Sequence, residues 1–155
     1  MLIAKDINQY NCNNIYFCDS IKNNIMVDGQ FIRIIYSTEN FILNGISILL
    51  DFKDINISKY YNKFRVSFCP IINNFLIDKI IAIEHAILQK FNIKNKQSSF
   101  KLTEQINNNN IKLFIDNEDD MDTNKMLFIL KISGIWETDT HYGITYKFIK
   151  TNHLS

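Results

Sequence analysis

Between Lys131 and Phe148 the chain interleaves aromatic rings with basic side chains at strand spacing. Trp136, Tyr142 and Tyr146 are planar groups on which other rings can stack, and Lys131 and Lys147 are cations close to them in sequence. The run Lys63-Phe64-Arg65-Val66-Ser67-Phe68 repeats the pattern, and Arg33 stands in a third run rich in isoleucine and aromatics. Rings plus cations suit one kind of ligand, a flexible polyanion that carries bases. Stacking supplies about 1–3 kcal/mol per base, while lysine and arginine neutralise phosphate charge. The candidate nucleic-acid-binding set is therefore Trp136, Tyr142, Tyr146, Lys147, Lys131, Arg33, Lys63, Phe64 and Arg65, with Phe68 behind them. The competing reading makes the alternating rings core residues and the lysines solvated charges. Tyr142, Tyr146 and Phe148 share one face of a strand, so they are buried together or exposed together.

Bond-making chemistry finds little support. His85, His141 and His153 are scattered, and Glu84 and His85 diverge if they lie side by side on a helix. No nucleophile elbow, phosphate-binding loop, dinucleotide fingerprint or HExxH pair is present. Asp116, Glu118, Asp119, Asp120 and Asp122 could hold a hard cation, but the glycine and the distal glutamate of a calcium loop are missing. Cys12 and Cys18 have no second pair to complete a zinc site, and with Cys69 they make an odd number, which fits reduced thiols. The expectation is a binding protein: no enzyme, no cofactor, no metal.

The net charge is +1, weak attraction for a polyanion. Segment 116–122 concentrates five acids and no base, however. Outside it stand seventeen basic residues against eleven acidic ones, a balance of +6. The acidic loop then either points away from a basic groove or competes for it.

The elements that must position these residues follow from periodicity. Phe31–Ser37, Phe41–Phe52 and Lys63–Cys69 read as strands, the second bent at Gly45, with Thr38-Glu39-Asn40 turning the chain between the first two. From Phe75 to Phe91 apolar residues recur at helical spacing, with Asn73 or Asn74 as N-cap. A polar linker, Asn92–Ser99, follows. Short runs Phe100–Ile106 and Ile111–Ile115 read as a hairpin, and Met126–Trp136 with Tyr142–Phe148 as a closing one. The helix covers a wide apolar arc. It can plug one end of a barrel or offer a surface to another protein, including a second copy in a homo-oligomer.

The order strand-strand-strand-helix-strand-strand predicts a mainly β fold with one helix, an OB-like five-stranded barrel. Residues 1–155 then make a single domain with a polar N-terminal extension over 1–29. At 46% hydrophobic and 21% charged the chain is neither disordered nor membrane-spanning, and its apolar runs are far short of the ~20 residues a bilayer requires. The heavy use of isoleucine, asparagine and lysine matches AT-rich coding, as in a large DNA virus, a linear plasmid or a parasite.

The closing hairpin, Ile132-Ser-Gly-Ile-Trp136 followed by Tyr142-Gly-Ile-Thr-Tyr-Lys-Phe148, resembles that of the OB-fold single-stranded-DNA-binding proteins of phages and large DNA viruses. The resemblance implies sequence-non-specific binding of single-stranded DNA during replication or recombination, with replication proteins as further partners. Many of those proteins end in an acidic tail that recruits partners; this chain ends Lys150-Thr-Asn-His-Leu-Ser155. An intracellular location, in the cytoplasm or nucleus of a host cell, is expected, without a signal peptide or membrane contact. The alternative is a structural or protein-interaction module of a virus that touches no nucleic acid.

Overall fold

The computed structural model describes residues 4–22, 29–113 and 127–151. The acidic segment 116–122 and His153 lie outside the described residues. The spine of the molecule is the expected closing hairpin: β10 (Leu127–Glu137) and β11 (His141–Thr151), antiparallel from Leu127↔Thr151 to Glu137↔Tyr142. A bulge between Ile132 and Gly134 shifts its register once. The other edge of β10 is shared by two partners. β5 (Ile46–Leu50) pairs with its first half and β3 (Gln30–Ser37) with its second.

Gly45 makes that sharing possible. β4 (Ile42–Asn44) forms a hairpin with β3, and Gly45, at φ +85°, then turns the chain away so that β5 can join β10. A Cβ here would also stand 2.9 Å from the Ile132 carbonyl oxygen, so only glycine combines this backbone with this close approach. The expected long strand over Phe41–Phe52 is thus two strands either side of a glycine.

β1 (Lys5–Asp6) runs parallel to β5, and β2 (Ile15–Lys22) pairs with β3. Beyond β11 the sheet continues through β8 (Gln97–Ser99) and β9 (Asn110–Leu113), both parallel to it. β7 (Lys63–Ser67) then pairs with β9, and β6 (Asn56–Tyr60) with β7. The mainly β class is as expected. The inventory among the described residues is larger: eleven strands in one mixed sheet and two helices, α1 (Asn74–Lys90) and α2 (Lys101–Asn107). The part of 1–29 that is described joins the sheet as β1 and β2, with Ile15 in the core.

α2 corrects the strand expected over Phe100–Ile106. Leu102 and Ile106, one helical turn apart, are both fully buried. The carboxylate of Glu84, on α1, accepts from the backbone N–H of Leu102 (3.0 Å) and Thr103 (2.8 Å) and from the Thr103 hydroxyl (2.6 Å). Helix first turns leave such amides without partners, and here a second helix supplies the acceptor. Asn73 does precede α1 as expected, but its side chain does not cap that helix. It ties instead to Lys53 N, Lys53 O and Cys69 O at 2.8–2.9 Å.

Alternation sorts β3, β5 and β7 into two faces. Ile32, Ile34 and Tyr36 of β3, Ile46, Ile48 and Leu50 of β5, and Leu130 and Ile132 of β10 turn inward, where Ile80, Ile83 and Ile87 of α1 join them in one core. Burying each such side chain contributes roughly 1.5–3 kcal/mol. The opposite, outer face is where the candidate residues must be sought.

Candidate nucleic-acid interface

Tyr142, Tyr146 and Phe64 fall on the inner face, and there the expectation of stacking platforms fails. Tyr142 is 4% exposed and Phe64 7%, both within the core cluster, and Phe68 is buried beside Phe52 with ring centroids 4.5 Å apart. Tyr146 is half-buried and its hydroxyl donates to Gln105 Oε1 at 2.8 Å. Burial, with Glu84 and Glu104 nearby, pushes its phenol up to about 12, so it is neutral at ordinary pH. These rings fill space between sheet and helices and present no face to a base.

The cations and Trp136 lie on the other side. Lys131 and Lys147 are direct cross-strand partners, Trp136 pairs with both Phe31 and Gly143, and Gly134 pairs with Arg33 and Thr145. The glycines of the closing hairpin explain the orientation of the rings. A Cβ on Gly143 would meet two atoms of the Trp136 indole at 2.7 and 2.8 Å, so that ring lies directly over the glycine. Phe31 is seated in the same way on Gly134, with ring atoms 2.6 and 2.7 Å from the missing Cβ. Both aromatics are half-buried and remain on the outer face. Glu137, the neighbour of Trp136, forms an ion pair with Lys96.

The pairing of β9 with β11 joins two groups of cations that are distant in sequence. Phe148 and Leu113 are register partners and both point inward. The residues before them, Lys147 and Lys112, therefore both point outward on adjacent strands. Lys112 is in turn the direct partner of Arg65 on β7. Lys131, Lys147, Lys112 and Arg65 thus form one row across β10, β11, β9 and β7. Three steps of ~4.8 Å make it roughly 14 Å long. Like charges placed directly opposite each other are unfavourable in a sheet. Among the described residues none of the four has a carboxylate partner.

The row ends at an aromatic hairpin tip that the sequence reading did not single out. Tyr60 on β6 pairs with Lys63 and faces outward with it. Tyr60 and Tyr61 are 55% and 81% exposed, with their rings 4.7 Å apart in an edge contact. The Arg65 guanidinium stands 5.4 Å from the Tyr60 ring centroid. Arg33, exposed, flanks the row from β3. The interface combines Lys131, Lys147, Lys112, Arg65, Lys63 and Arg33 with Tyr60, Tyr61 and Trp136. Of the expected set it keeps every cation and one ring. The signal that could have revealed Tyr60 and Tyr61 was two aromatics at a turn between strands bearing lysine and arginine.

Among the described residues no group of three or more histidine, cysteine, aspartate or glutamate side chains is placed to hold a metal ion. Cys12, Cys18 and Cys69 are free thiols, and among the described residues no helix is long and apolar enough to cross a membrane. No known protein family, curated protein or solved structure matches the chain.

Proposed function

We propose that the outer face binds single-stranded DNA without strong sequence preference, as a non-enzymatic protein of replication or recombination. The observation that carries the reading is the row of four cations on consecutive strands, unneutralised by described carboxylates and bordered by exposed tyrosines. A flexible strand can follow such a row and turn its bases onto rings at the margins, whereas the row offers no groove-reading element for a duplex. An OB-like relationship is part of the proposal. It is supported by the order of β3, β4–β5 and β7 before α1 and by the closing hairpin.

Binding is expected to weaken linearly in log–log terms with salt. Single strands lose about 0.7 of a slope unit per phosphate neutralised, so four contacts predict a slope of about −3. Fluorescence anisotropy of a labelled oligo-dT over a salt series measures it. Changing Lys131 and Lys147 together to glutamine should reduce the slope by about 1.4. Absence of binding at low salt, or an unchanged slope in that double variant, would falsify the assignment.

A second reading rests on the other end of the same face. Tyr16, Ile21 and Ile42 are 58%, 55% and 73% exposed on β2 and β4. Their chemistry suits contact with another protein, and a module that binds protein alone would show no affinity for the oligonucleotide.

A further inference from the structure

At the end of the cation row a hollow of about 50 Å³ opens, lined by Tyr60, Lys63, Phe64, Arg65 and Lys112. That is the room of one or two water molecules, suited to a group no larger than a single oxyanion. Phe64, between Lys63 and Arg65 on β7, also lines the hollow and is anchored by its ring in the core. The walls carry three cationic side chains from two adjacent strands, β7 and β9. The Nε of Arg65 is buried and has no hydrogen-bond partner among the described residues. A buried N–H without an acceptor is costly, and one in the wall of a cationic hollow is a donor waiting for an anion.

We propose that this hollow is a phosphomonoester site, which takes the terminal phosphate of a nucleic-acid strand at the end of the row. The inference rests on the single-strand reading for its source of phosphate, but not for its chemistry. A backbone phosphodiester carries one negative charge, whereas a phosphomonoester carries about −1.5 to −2 at neutral pH. Arg65 and Lys112, neither with a carboxylate partner among the described residues, match the second better than the first. Position agrees with charge. β6 is the last strand of this side of the sheet, and Tyr60 at its end lines the hollow, so the row of cations ends here. Arginine supplies donors in a planar fork suited to phosphate oxygens, and lysine in its place keeps the charge but loses the fork.

The test compares oligo-dT carrying a 5′-phosphate, a 3′-phosphate or hydroxyls at both ends, each titrated into the wild-type protein and into Arg65→Lys. Wild type should bind one of the two phosphorylated oligonucleotides about tenfold more tightly than the hydroxyl form, the effect of one charge-assisted hydrogen bond. In Arg65→Lys, which keeps the charge but loses the fork, that ratio should fall severalfold. Equal affinity of all three oligonucleotides for wild type, or a ratio undiminished in Arg65→Lys, overturns the phosphomonoester site and leaves the single-strand reading standing. Inorganic phosphate, titrated alone by calorimetry, separates the remaining case. If no oligonucleotide binds but phosphate does so in an Arg65-dependent way, the site stands and the single-strand reading falls. If phosphate does not bind either, both fall.

Discussion

The carboxylate of Glu84 is fully buried and holds the first turn of α2 by two amides and one hydroxyl. Replacing it by alanine leaves three donors without their acceptor, the buried amide of Leu102 among them. Glu84→Ala is expected to lower stability by about 2–4 kcal/mol, while Glu84→Gln, which keeps one acceptor oxygen, should cost roughly half as much. Urea unfolding midpoints measure both, and an alanine variant within ~0.5 kcal/mol of wild type would remove the capping role. In the sequence Glu84 is legible only as a helix residue beside His85. Its partner lies eighteen residues on, in a segment that reads as a strand in the sequence. The cations of the interface were more legible, because alternation alone places Lys63 and Arg65 opposite Phe64, and Lys147 opposite Phe148. Which face was inward could not be read from alternation, which separates two faces and labels neither. The burial of Tyr142 and Phe64 answers it.

Elements were legible where their signal is local. Gly45 marks its bend, α1 its helical period, and β10–β11 its hairpin, each within a few residues of the expected bounds. β8 was not, because what defines it is pairing with β11, from which it is distant in sequence, and Gln97-Ser98-Ser99 carries no apolar pattern of its own. The run at Ile111–Ile115 does appear as a strand, β9, but its parallel pairing with β11 was not legible. The row of cations was hidden for the same reason, since Lys112 meets Lys147 only through that parallel pairing. Within β11, Gly143 shows how an element sets the interface. Alanine there would press on the Trp136 ring and on the Ser99 carbonyl oxygen, which would stand 2.9 Å away and belongs to backbone that cannot easily yield. Gly143→Ala is therefore expected to cost about 1–3 kcal/mol by overpacking and to shift the emission of Trp136, the single tryptophan, toward that of a solvated indole. Unchanged emission and stability would mean that the indole does not lie on the glycine.

Over the whole molecule the net charge of +1 conceals a strong internal asymmetry. Five of sixteen acids stand within 116–122, and the row Lys131–Lys147–Lys112–Arg65 collects cations from four strands. Long-range attraction depends on the sum of these charges, contact on the row alone. The two can be separated by changing Asp116, Asp119, Asp120 and Asp122 to asparagine and Glu118 to glutamine, which raises the net charge to +6. At 10 mM ionic strength, where the screening length is ~30 Å, the variant should associate with oligo-dT on the order of tenfold faster than wild type. At 1 M, with screening at ~3 Å, the two proteins should become indistinguishable. Stopped-flow mixing with a labelled oligonucleotide reads both limits. Equal rates at low salt would show that the acids exert no field on the approaching strand, leaving the row to act by contact alone. A dissociation rate that also falls in the variant would instead show that these acids compete with DNA for the bound face, because a purely long-range field changes how often the strand arrives, not how long it stays.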